Sequence, residues 1–525
     1  MTDTNVSKEC KEEFRVNAKI RQEIDRRKRR RIRRLSREQW QEPDSLGSAN
    51  IDYELSERAT ATSAGGIGVI CELARQLGLA ETLNQRVPVM TLYAPYSDAD
   101  HIQNIAFNLL AGGRCLEHIE HLRQDEAYLN GVGVERIPDP TTAGDYCRRY
   151  TPTSIHWLMD AINEIRVKVW QTQPAGFFDK AIIEVDGVMV ETYGRCKQGI
   201  DINYKKQWGY HPLIVSLANT REPLFIVNRP GNRPSHEGAS EYIDRAIEVC
   251  RKGGFKEIVV RGDTDFTQTR HLDRWNREGV VFVFGIDAMQ NLYDEAEKID
   301  DSEWEELERL AREIKTHPRR KKPRYKERIV RERGYKNITL EREWVGEFNY
   351  KPGKCKEKYR VVVVWKELTV SEGQPLLFKE ESRCFFYITN NRDDSAEEIV
   401  RQARARCNQE NTVIQQLKGD VRALAAPLDT LISNWAYMVI ASLAWSLKVW
   451  CALMLPAKGR WRKNRFQEKE RLLRMEFSTF RNVLMRIPAQ IIRTGRRVVY
   501  RVLAVNEWSP TLFRMHEAFR RPLRC

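Results

Sequence analysis

Between Ala181 and Asp287 the apolar residues stop recurring at three- and four-residue steps and gather in short runs rich in β-branched side chains. That change confines the fold. AIIEVDGVMVET (181–192), HPLIVSLANT (211–220) and PLFIVNRPG (223–231) read as three strands separated by Gly, Asn or Pro turns. Ala239, Tyr242, Ile243, Ala246, Ile247 and Cys250 then mark an amphipathic helix that ends at Gly253-Gly254. FKEIVVRGD (255–263) follows as a strand, RHLDRWNREG as a helix and VVFVFGID as a further strand. Short antiparallel links come first and crossover helices later, which predicts an α/β fold: a mixed sheet with covering helices.

Two of these strands carry an acid where burial makes it costly. Asp186 stands inside IIEVDGVMV, and Asp263 directly ends the apolar run of IVVRGDTDF. A third acid, Glu410, lies in RCNQENTVIQQLK on a helical run that begins at Ser395. Phosphodiester chemistry is helped by two divalent ions roughly 3.5 to 4 Å apart, held by Asp or Glu from different elements. Asp186 and Asp263 can converge if their strands are neighbours, and Glu410 can reach over the same sheet edge. Arg406, four residues before Glu410, shares its face on an α-helix and can meet a phosphate or pair with the acid. Lys418 stands about 80° around from Glu410 on the same ideal helix. Asp265 is a rival to Asp263, two positions later on an ideal strand. Glu184 and Glu191 read as solvent-facing or ion-paired. His118, His121 and the His236-Glu237 pair lack a third ligand at usable spacing.

The charge balance points to a polyanion. Lys and Arg (88) exceed Asp and Glu (73) among 525 residues. RRKRRRIRR holds Arg26, Arg27, Lys28, Arg29, Arg30 and Arg31 in a block that cannot bury itself, so it is a disordered arm or a solvated helix suited to phosphate contact. A second basic block holds Arg319, Arg320, Lys321 and Lys322. The 11 cysteines form no CxxC pair, which fits reduced thiols and argues against a zinc ribbon or a disulfide framework. No apolar run follows the N-terminus as in a secretory signal. Thr430–Leu447 holds no charge but carries Ser433, Asn434, Ser442 and Ser446, so it reads as a buried helix and no membrane partner is expected.

These readings divide the chain into six parts: a basic arm (1–64), a helical DNA-binding region (65–175), the first part of a sheet core (176–287), a β-rich basic insertion (288–392), a second core part with the Glu410 helix (393–455) and a basic helical C-terminal region (456–525). Within the insertion, DSEWEELERLAREIK reads as helical, and YRVVVVWKEL and RCFFYITNN as strands.

The ordered series EVDGV, YKKQWGYHPLIVSLANT, VVRGDTDF, FFYITNN and RCNQEN resembles the DDE transposases of bacterial insertion sequences. It is most similar to the family numbered thirteen-eighty, a relative of the Tn-five-like transposases, and the resemblance runs from about Gly65 to the tail. It implies an RNase H-like core interrupted by a β-rich domain before the last acid, and it makes Asp186, Asp263 and Glu410 a catalytic, metal-binding triad. It also implies two Mg2+ ions per site, with Mn2+ able to substitute, and double-stranded DNA as partner at both element ends and target. A homodimer or higher synaptic assembly in the bacterial cytoplasm, associated with the nucleoid, goes with it. The helix signature Tyr-x2-Arg-x3-Glu-x6-Lys is met at Arg406 and Glu410. Ala403 stands at the Tyr position and Leu417 at the Lys position, with Lys418 one residue later.

The expectation is a transposase that binds the inverted-repeat ends of its element, hydrolyses a phosphodiester to free a 3′-OH and joins it to target DNA. An RNase H-like nuclease or domesticated relative is the rival within the class. A non-catalytic basic DNA-binding protein is the rival outside it.

Overall fold

The computed structural model describes residues 18, 20–33, 60–91, 95–307, 337–371, 378–406, 409–495 and 497–521. The chain divides into two compact units. One comprises residues 174–193 and 199–415; the other comprises 1–173, 194–198 and 416–525.

The first of these holds the predicted sheet. Its strands are β1 (Lys180–Gly187), β2 (Val190–Glu191), β3 (Asp201–Ile202), β4 (Trp208–Tyr210), β5 (Leu213–Leu217), β6 (Glu222–Val227), β7 (Glu257–Gly262) and β8 (Val280–Ile286). They continue with β9 (Glu305–Glu306), β10 (Asn337–Tyr350), β11 (Tyr359–Ser371) and β12 (Phe378–Thr389). Helices α1 (Ala239–Gly253), α2 (Leu272–Arg277), α3 (Gln290–Ala296) and α4 (Ala396–Ala405) connect or cover them. The large sheet runs β9-β10-β11-β12-β8-β7-β1-β5-β6. β1 pairs antiparallel with β5 and parallel with β7, and β7 pairs parallel with β8. The sheet is therefore mixed, as the short early links and later crossovers predict. α1 stops where Gly254 takes φ 98°, a left-handed cap that glycine adopts without strain.

Four sequence expectations change here. The segment expected as a separate insertion extends the core sheet, because β12 pairs antiparallel with β8 from Phe386↔Ile286 to Thr389↔Val283. Val362 and Val364 of β11 pack in one cluster with Val283, Ile399 and Val400, so these strands share the core's hydrophobic interior. Asp301–Glu303, where the expected helix was to begin, is a single 3-10 turn followed by β9; the rest of that expectation, residues 308–315, lies outside those described. α4 ends at Ala405, and Glu410 lies in a separate π-helical turn, Gln409–Ile414. Residues 416–455, expected in the core, belong by contacts to the other unit.

That second unit is a helical bundle. Leu431–Leu453 runs through it with its most apolar stretch entirely buried, packed on the helices Asp98–Ala111 and Pro152–Gln171. A capping box between Thr430 and Ser433 starts this helix. Its one charge, Lys448, donates to the Leu473 carbonyl at 2.6 Å and lies 4.4 Å from the Trp445 ring centre, which satisfies the ammonium inside the protein. The basic tail is not wholly helical. Ala489–Thr494 and Arg497–Val502 form an antiparallel hairpin, edged by Ala61–Thr62. Residues 20–33 form the solvated helix of the two alternatives: Lys28, Arg29, Arg30 and Arg31 are exposed, and Arg26 and Arg27 pair with Glu23.

Candidate active site

Strand register sets the site. In the parallel β1–β7 pair Glu184 stands opposite Arg261, and side chains two residues apart share a sheet face. Glu184 and Arg261 therefore form a lower layer, and Asp186 and Asp263 lie one step further along each chain. The lower layer is a buried ion pair, with side chains 2% and 8% exposed, in which Arg261 donates to Glu184 Oε1 from Nη2 at 2.6 Å and from Nε at 2.9 Å. Burial pushes the Glu184 carboxyl above its ordinary range despite this partner. Arg261 Nη1 also donates to the Gln402 carbonyl at 3.1 Å, which ties α4 to the sheet.

The upper layer carries the predicted acids. Asp186, the penultimate residue of β1, is buried, and its Oδ1 accepts from the Gly187 amide at 2.8 Å. Asp263 follows β7 and caps the 3-10 turn Thr264–Phe266, accepting from the Asp265 amide at 3.1 Å. Asp265 itself is exposed in that turn. Because the strand stops at Gly262, the ideal-strand geometry that made it a rival does not apply.

Glu410 arrives by an anchor that sequence reasoning missed. Its neighbour Gln409 is fully buried, and Nε2 donates to Ser216 Oγ at 2.9 Å and lies 3.3 Å from the carbonyls of Glu184 and Ile214. This side chain fastens the π-helical turn across β1 and β5. A buried amide beside an acid carries no periodicity signal, and only the register of the two strands reveals its partners.

The three acids meet around one atom. Arg406 Nη1 lies 3.6 Å from Asp186 Oδ2, 3.7 Å from Asp263 Oδ2 and 3.7 Å from Glu410 Oε1. All three oxygens thus fall within a sphere of 3.7 Å radius, although their residues come from distant parts of the chain. This nitrogen is buried and makes no hydrogen bond, so it balances charge without being fixed by geometry. Burial pushes the Asp186 carboxyl up to about 7; Arg406 opposes the shift, and Asp263 and Glu410 add to it. Burial also raises Asp263, against the pull of Arg406.

Among the described residues no three or more His, Cys, Asp or Glu stand in a ready metal-ligand arrangement, since the acids surround the guanidinium at ion-pair range. Their chemistry nevertheless fits a hard divalent ion: three carboxylates from different elements converge on a buried cationic nitrogen that lacks a hydrogen bond. His118 and His121 form a tilted ring pair, with centres 5.5 Å apart, and His118 Nδ1 accepts from the Arg114 amide at 3.2 Å.

Other predicted positions lie elsewhere. Lys418 ends the short helix Gln415–Lys418 in the bundle unit and is exposed, while Leu417, at the signature Lys position, is core. The π-helical turn removes the ideal-helix angle from which Lys418 was placed beside Glu410. Arg319, Arg320, Lys321 and Lys322 lie outside the described residues. Glu191 is exposed and accepts from Tyr193 and Gln207.

Three carboxylates gathered on a mixed sheet are what metal-assisted phosphodiester chemistry requires, and comparison with known families gives the class: the DDE transposases, enzymes that cut and join DNA. Residues 56–521 match the model described as Transposase DDE domain group 1, and the chain belongs to that family. Membership carries DNA transposition with it and sets aside the purely architectural reading. No curated protein matches the chain. A solved structure, the piggyBac transposase synaptic complex with hairpin DNA, is similar over 79% of each chain at 11% identity, with a TM-score of 0.33.

Proposed function

We propose that Asp186, Asp263 and Glu410 are the catalytic acids of a cut-and-paste reaction at the inverted-repeat ends of an insertion sequence related to the family numbered thirteen-eighty. The observation that carries this reading is the convergence of three carboxylates, one each from β1, the end of β7 and the π-helical turn, on a single guanidinium nitrogen.

The acids would hold two Mg2+ ions. When bound, such ions activate the attacking oxygen and stabilise the leaving one. The protein's own share is positional. The Glu184–Arg261 pair fixes the spacing of β1 and β7, and Gln409 fixes the turn that delivers Glu410. Arg406 neutralises the acids, and Nη1 has no hydrogen bond to give up before it donates to a phosphoryl oxygen. Water serves as nucleophile in strand cleavage, and the liberated 3′-OH serves in joining, so one site accommodates both steps. The exposed basic helix of residues 20–33 contributes sequence-independent phosphate contacts, and the helical region between Gly65 and Val169 reads the element ends.

The test is amide substitution. Asp186→Asn, Asp263→Asn and Glu410→Gln should each abolish Mg2+-dependent nicking of an element-end duplex while leaving its binding nearly unchanged. An Asp186→Asn protein that still nicks would sink the assignment.

A further inference from the structure

We propose that the small β2-β4-β3 sheet is a stacking platform for an unpaired nucleobase of the DNA strand leading to the cleaved phosphate; this deepens the DNA-cutting role proposed above and rests on it. The platform grows directly from the catalytic ladder. Asp186 pairs with Ile214 and Gly187 with Leu213, the Val188 amide donates to the Pro212 carbonyl, and Val190 then pairs with Tyr210. β2 and β4 therefore prolong the β1–β5 ladder past Asp186. The Thr192 amide bonds the Trp208 carbonyl, six residues beyond Asp186. At about 3.3 Å per residue this is roughly 20 Å, the span of about six stacked nucleotides.

The tip is braced by hydrogen bonds, and its aromatic and lysine side chains face solvent. Asn203 takes its amide to the Gln207 carbonyl at 3.0 Å, and its Oδ1 and Nδ2 bond the Gln207 amide and side chain, both at 2.9 Å. Lys206 closes the turn at φ 62°. Gly209 is needed below it, because a Cβ there would stand 2.0 Å from the Val190 carbonyl oxygen. At this braced tip Tyr204 is 88% exposed, and Tyr193 and Trp208 are 70% and 44% exposed. Lys205 Nζ lies 5.3 Å from the Tyr204 ring centre, and Lys205 and Lys206 are both exposed. Lysines alone would serve paired DNA, whose phosphates lie outside. Exposed aromatic rings gain little from a phosphate backbone but stack on any unpaired base, so an aromatic and basic tip carried on the same ladder as Asp186, roughly 20 Å along it, fits an unpaired nucleotide.

The experiment uses the full chain in metal-free buffer with two duplexes of arbitrary sequence, one fully paired and one with a three-nucleotide bulge containing 2-aminopurine. The wild-type protein should bind the bulged duplex roughly fivefold or more tightly than the paired one and quench the probe. Tyr204→Ala and Trp208→Ala should lose both the preference and the quenching, Tyr204→Phe should keep them, and Lys205→Ala should weaken both duplexes alike. Equal wild-type affinity for the two duplexes, or a Tyr204→Ala protein that keeps the preference, would overturn this proposal alone. Failure of the wild-type protein to bind either duplex would overturn it together with the DNA-contact reading beneath it. Tyr204 is so exposed that its loss should leave folding unchanged, and circular dichroism of the variant checks this.

Discussion

Replacing Arg261 with Met should destabilise the sheet unit strongly, and by an amount that depends on pH. The substitution keeps most of the side-chain volume and leaves the Glu184 carboxylate, 2% exposed, without its cation. A buried carboxylate stripped of its partner costs several kcal/mol, but it can escape by taking a proton. With an ordinary value of 4.5, holding Glu184 neutral at pH 7 costs no more than about 3.4 kcal/mol, since pH 7 lies about 2.5 units higher. The lost bond to the Gln402 carbonyl adds about 1 kcal/mol, giving a total of about 3 to 5 kcal/mol. A carboxyl whose folded-state value is raised keeps its stability below its unfolded value and loses it as pH rises. The deficit of the variant should therefore shrink from pH 7 to pH 5, by up to about 2.6 kcal/mol, the wild-type carboxyl being raised as well and so offsetting part of the change. Glu184→Gln is the mirror case: the stranded guanidinium cannot shed its proton, so its deficit should hardly vary over that range. Urea unfolding of the metal-free proteins at pH 5, 6 and 7, followed by tryptophan fluorescence, measures all three. An Arg261→Met protein as stable as wild type at pH 7, or one whose deficit is the same at pH 5, would refute the reasoning.

Other outcomes follow from the acid cluster and the basic arm. Because burial raises Asp186 from 3.8 to about 7, its contribution to stability is full below about 4 and is lost as pH rises through about 7. Melting temperatures of metal-free wild type should thus fall over that window relative to Asp186→Asn, and Mg2+ should reverse the fall; parallel curves for the two proteins would count against it. Arg406→Ala should lower metal-free stability and tighten binding of Ca2+, on the order of tenfold, because a competing cation leaves the acids; weaker Ca2+ binding in a titration followed by thermal shift would contradict this. Asp265→Asn should retain most nicking activity, since Asp265 is exposed in the turn after β7 and is not among the acids around Arg406 Nη1; complete loss would bring it into the site. Deleting residues 1–40 should weaken binding to all duplexes and flatten its salt dependence while preserving discrimination of element ends. Lost discrimination, with random-duplex affinity unchanged, would show that the arm reads bases.

Local pattern determined much of this protein. β-branched runs and glycine turns marked β1, β5, β6, β7 and β8 because strand formation and termination depend on near neighbours, and the cost of burying a carboxylate singled out Asp186 and Asp263. The uncharged stretch ending at Leu447 was legible as core because its Ser and Asn residues suit a protein interior better than lipid. Tertiary structure decided what depends on pairing between distant strands. No local feature separates a strand that closes a domain of its own from one that joins an existing edge, so only the β12–β8 register showed β10 to β12 extending the core sheet. The break before Glu410 was hidden for a similar reason, since an α-helix and a π-helical turn share an apolar pattern over a few residues, and burial of Gln409 across β1 and β5 selects the turn. Arg406 could be placed near Glu410 from its spacing. Its position among all three acids follows from long-range electrostatics, which act only after the sheet has brought residues from β1, β7 and the turn into one low-dielectric space.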